Sequence, residues 1–378
     1  MLRKGLFRLM IIALLALSVG GVQAQDAPRD LTFFLTYIPN IQFAPVYVAL
    51  EKGYFAEAGL NVTLQSGDEP DGVNLIAANQ LQFGVASGEQ VIAARAQERP
   101  VRFVYEWYQK YPIGVLVTNE SGITSPADLR DQRIGIPGLF GASYTGAVAL
   151  LAAHDLTEQD VQLESIGFNA PQVICVGGVQ AAVVYVNNEP LQVQDRIDAG
   201  DCGDVTGITV FPVADVADMV SNGIITNEET IANEPELVAA FVAAFDKGLH
   251  DTIHNPAEAY LLSAKYVDGL PLPDDLRAAL EGEASMARVF SMTGGNPSAE
   301  LRVAARALKL ERLRGETDGT AMLQLEVLYS SIDMWDAQEQ GFSDEASWQV
   351  TQDTLMAMGS LDAPIDLSAA FTNEFLPE

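Results

Sequence analysis

The 378-residue chain carries 51 acidic residues against 21 basic ones, a formal charge of −30, on a 48% hydrophobic composition. That charge argues against nucleic acid as a partner. Two cysteines in the whole chain rule out a disulfide-dense scaffold, and no Cys/His spacing suggests zinc.

Residues 1–24 read as an export signal. Arg3, Lys4 and Arg8 precede an apolar stretch from Leu9 to Val19 that is too short to span a bilayer comfortably, and Val22-Gln23-Ala24 is a small-residue cleavage site. Three of the 21 basic residues leave with it and no acid does, so the charge moves to −33. No cysteine follows, so the sequence offers no lipid-attachment position of the bacterial lipoprotein kind. The expected location is outside the cell membrane, in a periplasm or on the membrane's outer face. Acids such as those in Asp68-Glu69-Pro70-Asp71 and Asn227-Glu228-Glu229 fall in loops and helix starts, where solvation is their expected state.

Residues 31–36 (LTFFLT) read as a strand. A polar, aromatic loop at 37–43 follows, then an amphipathic helix that stops at glycine, then a second strand at 61–67. Residues 75–82 and 89–97 read as helices, 83–87 and 101–107 as strands, which is the βαβ rhythm of a doubly wound sheet. An extended run at 111–117 crosses into a new segment, where Ser125 caps a short helix with Pro126 at its first position. Strands are expected at 133–137, 162–167, 181–186 and 207–213, and helices at 144–154, 171–178 and 191–199. SNGIITNEETI from Ser221 reads as a return crossing, and the chain is largely helical from Pro235 onward. The expected architecture is α/β, with two lobes of doubly wound sheet, a ligand cleft between them and two hinge crossings. The first lobe comprises 30–117 plus 222–378 and the second 118–221. Cys175 and Cys202 are an even pair that could close one disulfide loop in an oxidising compartment, or stay as two buried thiols.

In open α/β folds ligands sit at the carboxyl ends of strands. Four loops fall there: 37–43, 87–90, 138–144 and 187–190. They offer Tyr37, Asn40, Gln42 and Phe43, then Glu89, then Phe140, Ser143 and Tyr144, then Asn187 and Glu189; Trp107 and Tyr185 lie beside them at strand ends. None of the four loops contains Lys or Arg, which points away from an anion and toward a small neutral ligand. The carboxylates supply acceptors and the aromatics supply faces for a flat ring. Asn187 could equally be a turn former, and Trp107 a hinge-packing residue.

The segment YIPNIQFAPVYVALEKGYFAEAGL, residues 37–60, resembles the opening of the NMT1/THI5-like substrate-binding proteins of ABC importers. FGVASGEQVIAARA, GGVQAAVVYVNNEP, NGIITNEETI and NPAEAY follow in the family's order. The resemblance implies the type II periplasmic-binding-protein fold, an ABC permease as membrane partner, and no cofactor. It points first to the riboflavin-binding branch, with a thiamine pyrimidine precursor as the alternative ligand. The family also holds fungal pyrimidine-synthesis enzymes, but their Cys-rich pattern is absent here, and no nucleophile and base emerge as a pair. His250 and His254 have metal-compatible spacing, yet they end a helix before Asn255-Pro256, where capping or solvated histidines are the commoner outcome.

Overall fold

A computed structural model describes residues 27–294, 297–317 and 321–377; the export-signal reading at 1–24 lies outside them. Ten strands occur in chain order: β1 (Arg29–Leu35), β2 (Leu60–Ser66), β3 (Phe83–Ser87), β4 (Val101–Glu106), β5 (Ile113–Thr118), β6 (Arg133–Ile136), β7 (Gln162–Ser165), β8 (Ala181–Tyr185), β9 (Ile208–Pro212) and β10 (Asn222–Asn227). They form two five-stranded sheets, ordered β2-β1-β3-β10-β4 and β7-β6-β8-β5-β9.

The exceptional strand in each sheet is the one that follows a crossing. β10 runs antiparallel to β3 and β4, and β5 antiparallel to β8 and β9. The direction follows from geometry: a chain that leaves the cleft edge of one sheet must enter the other from its cleft edge and run away from it. The remaining pairs, β1 with β2 and β3, and β6 with β7 and β8, are parallel. Their connecting loops therefore gather at one edge of each sheet, and the two edges face each other. One boundary read from the sequence moves. Residues 113–117, assigned there to the first lobe, lie in β5 and pair with β8 and β9, so the chain changes sheets between Glu106 and Ile113. The crossing itself is residues 107–112, where Gln109 and Lys110 interrupt the apolar run.

Helices cover both sheets. Pro235–His254 has Pro235 at its first turn and buries Val238, Phe241, Val242, Phe245 and Leu249, the i, i+3, i+4 stripe of an amphipathic helix. Phe241 stacks on Phe83 of β3 with ring centroids 3.9 Å apart and meets the edge of Phe33 at 5.0 Å. Truncating such a ring costs about 3–5 kcal/mol. The short 3₁₀ turn Pro126–Leu129 carries the capping box of Ser125 and Asp128. A helical arm, Asp274–Met292 and Ala299–Glu316, packs beside Leu323–Trp335 on the first lobe. In the second lobe Cys175 and Cys202 are joined in a disulfide that ties the end of the helix Ala170–Cys175 to the loop before β9.

Candidate functional site

A narrow cleft of about 70 Å³ lies between the facing sheet edges, smaller than a typical small-molecule pocket. Its first-lobe wall is built at the ends of β1, β2, β3 and β4. Tyr37 follows β1, Gln42 and Phe43 sit in the 3₁₀ turn Ile41–Phe43, and Trp107 and Tyr108 follow β4. The second-lobe wall comes from the ends of β6, β7 and β8, with Phe140 and Ser143, Phe168, and Tyr185 with Glu189. Asn222, the first residue of β10, lies where the chain returns.

Direct contacts bridge the two walls. The Tyr37 ring meets Phe168 edge-on at 4.7 Å, and its hydroxyl donates to Glu189 Oε1 at 3.4 Å. The Glu189 carboxylate is fixed from its own lobe by the backbone N–H of Tyr185 at 2.8 Å and the amide of Asn188 at 2.9 Å. Tyr185 donates its hydroxyl to Asn222 Oδ1 at 3.2 Å. Desolvation pushes the Glu189 carboxyl up, and the surrounding donors pull it back. The Tyr108 hydroxyl, which accepts from Gln42 Nε2, is pushed up to about 12, chiefly by burial.

Eight of the twelve residues anticipated from sequence line this cleft: Tyr37, Gln42, Phe43, Trp107, Phe140, Ser143, Tyr185 and Glu189. Four do not. Asn40 spends its side chain on the turn, accepting from the Gln42 backbone N–H and donating to Gln42 Oε1, both at 2.9 Å, and faces an adjoining outer depression. Tyr144 turns outward and donates to Glu158 at 2.7 Å. Asn187 is buried and donates to Ser331 on the helix Leu323–Trp335 at 2.8 Å. Glu89 is buried beneath the cleft floor against the Tyr111 hydroxyl at 3.3 Å. Trp107 lines the cleft, yet it is only 1% exposed and packs on Phe245 and Trp335 at 5.0 and 5.5 Å. It is a floor residue with little face left for stacking.

The sequence reading missed Glu69, which belongs to the cleft wall. The sequence places it among solvated acids, but it is 7% exposed. Its Oε1 accepts from the backbone N–H and hydroxyl of Ser87 at 2.7 and 2.6 Å, and its Oε2 accepts from the backbone N–H of Ala142 at 3.1 Å. Burial raises both members of the neighbouring pair, Glu89 to about 8, where repulsion from Glu69 adds to desolvation. Three donors aimed at Glu69 pull against its desolvation. Phe168 and Asn222 were also outside the anticipated set; no local pattern distinguishes them from structural residues.

The lining contains carboxyl, amide, hydroxyl and aromatic groups and no Lys, Arg or His. Such a wall receives a ligand that brings hydrogen-bond donors and a flat apolar face, and it repels an anion. No group of three potential metal-binding side chains occurs among the described residues.

Known proteins agree with the architecture. The chain is 34% identical over 362 residues, 94% of its length and 88% of the relative's, to the riboflavin-binding protein RibY of Chloroflexus aurantiacus. It is 29% identical to a formylaminopyrimidine-binding protein of Halalkalibacterium halodurans, over 67% of this chain and 77% of that one. It is 26% identical to a 4-amino-5-hydroxymethyl-2-methylpyrimidine phosphate synthase of Legionella pneumophila, over 61% and 72%. Among solved structures, the alkanesulfonate-binding protein SsuA of Xanthomonas axonopodis superposes with a TM-score of 0.52 at 14% identity, covering 77% of this chain and 95% of that one; the two share the periplasmic-binding-protein fold. The model described as "NMT1/THI5 like" matches residues 40–259, and with a relative matched over nearly the whole chain this protein belongs to the NMT1/THI5-like family.

Proposed function

We propose that this chain is an extracytoplasmic solute-binding protein that captures riboflavin between its lobes and delivers it to the permease of an ABC importer. The observation that carries the reading is the cleft itself, aromatic on both walls, holding Glu69 and Glu189 and lined by no basic residue. An isoalloxazine ring supplies an extended flat face for Tyr37, Phe140 and Phe168 and an N–H for an acceptor such as Glu189. The riboflavin-binding relative from Chloroflexus aurantiacus matches across most of the chain and supports the same ligand. The basic start and apolar stretch of residues 1–24 support export.

Capture proceeds by lobe closure about the two crossings, residues 107–112 and 213–221, which lie between the sheets. A thiamine pyrimidine precursor is the second reading, favoured by the formylaminopyrimidine-binding relative. Binding is preferred to turnover because the lining brings together no nucleophile with a base: Ser143 has no histidine beside it in the cleft. Titration of the purified protein with riboflavin decides between the ligands. Saturable quenching of flavin fluorescence at micromolar protein is expected. No response to riboflavin, with a response to formylaminopyrimidine, transfers the function to the pyrimidine, and turnover of either compound by the protein alone overturns the binding role.

A further inference from the structure

Glu69 stands between two helix amino termini, one from each lobe. Ser87, whose N–H and hydroxyl both donate to Oε1, is the N-cap of the helix Gly88–Ala96 in the first lobe. Ala142, whose N–H donates to Oε2, lies in the first turn of the helix Gly141–Ala152 in the second. The unpaired N–H groups and dipole at such a terminus favour a negative charge. The second lobe itself supplies no acceptor for the Ala142 N–H; the acceptor comes from across the cleft.

The local backbone is shaped for that approach. Gly141 has φ +67°, a conformation that L side chains rarely adopt, and a Cβ built on it would stand 2.7 Å from Glu69 Oε2. Any side chain at 141 would push the carboxylate off the helix terminus. Glu89, Tyr111 and Tyr185 enclose the same spot, and none of them is a cation. The lining holds no cation; the first-lobe terminus serves Glu69 whether the lobes are open or closed, and the second-lobe terminus does so only while they are together.

We propose that Glu69 is the closure latch of this protein and its resident anion: its carboxylate fastens the lobes by occupying the second-lobe helix terminus, and by filling that position it reserves the cleft for ligands without a negative charge. The proposal rests on the two-lobed capture described above, but it does not depend on which ligand is captured. The same position, left empty, is where an anionic ligand would gain the N–H groups of residues 142 and 143.

Two variants test it. Glu69→Ala removes the carboxylate; Gly141→Ala keeps Glu69 and crowds the crossing contact, while also straining the positive-φ backbone at 141. Small-angle scattering of the ligand-free proteins, with circular dichroism to establish folding, is expected to give a larger radius of gyration for both variants than for the wild type. Stopped-flow release of riboflavin is expected to be at least tenfold faster from both. Acetate added at tens of millimolar should restore compactness to Glu69→Ala, by supplying the missing carboxylate, and should leave Gly141→Ala unchanged. If riboflavin does not bind the wild type, the ligand assignment fails while scattering and acetate rescue still judge the latch. Folded variants that match the wild type in radius and release rate, with no response to acetate, overturn it. Should Glu69→Ala fail to fold, Gly141→Ala alone decides.

Discussion

Asp336 and Glu69 are both sequestered carboxylates, and they are held by opposite means. Where the helical arm meets Leu323–Trp335, Asp336 at the end of that helix lies between the guanidinium groups of Arg302 and Arg306, and Glu283 in the arm lies between Arg312 and Lys309. Around the cleft, Glu69, Glu89 and Glu189 meet amides, hydroxyls and backbone N–H groups instead. Asp336 and Glu283 each face two cations, so they serve to fix helices and have little left to offer. The cleft's acids keep acceptor capacity and a protonation state that responds to their surroundings. Three acids that lack a cation gather around this cleft, and a fourth, Glu106, is held by Ser343 outside its lining.

The largest expected effect comes from breaking the arm. Asp336→Ala leaves Arg302 without its carboxylate and Arg306, only 6% exposed, with Asp333 alone; the loss should be about 3 kcal/mol, read as a lower urea midpoint, with riboflavin affinity at low urea unchanged.

The pH dependence of stability should come from the unmatched acids. Glu89 and Glu106 are each pushed up to about 8 by burial, against 4.5 for the ordinary carboxyl. Between those values the folded chain keeps protons that the unfolded chain has lost. Stability is therefore full below about pH 4.5, falls as pH rises through 8 and levels off above it. Glu106, which is not part of the cleft lining, accepts from Ser343 at 2.7 Å. Glu106→Gln should flatten its share of the decline, on the order of 2 kcal/mol, in melting temperatures recorded from pH 5 to 9. An unchanged slope would place the titration elsewhere.

Within the cleft, Glu189→Gln should weaken riboflavin about ten- to a hundredfold, since a hydrogen bond to a charged group contributes about 1.5–3 kcal/mol, while the melting temperature moves little. The smallest effect belongs to Tyr144→Phe. Its hydroxyl is bound to Glu158 on the outside, so affinity and stability should both stay within about 0.5 kcal/mol of the wild type. A large loss of affinity there would bring Tyr144 back into the site.

What could be read in the sequence was what local pattern controls. The strand 83–87 coincides with β3, and the capping serine and proline at 125 and 126 mark a real turn. The four loops were placed at strand ends because alternation of strand and helix forces them there. Which face a loop residue shows was not legible. Asn187 and Glu189 are two residues apart, yet one turns to Ser331 and the other to the cleft. Glu69 was least legible of all: it sits in an acidic stretch, Asp68-Glu69-Pro70-Asp71, that resembles a solvated turn, and its burial is created by Ala142, a residue 73 positions away. Long-range contact decided its environment, and no window of sequence contains that contact.

The strand order carries one more consequence, for how the chain is made. β5 to β9 are contiguous in sequence, so the second sheet holds all the partners it needs once residue 212 has been synthesised. The first sheet does not: β3 and β4 are kept apart by β10, and no backbone ladder joins them until residues 222–227 arrive. During synthesis the first lobe must therefore wait, with two unpaired strand edges exposed, for a part of the chain that emerges after its neighbour is complete.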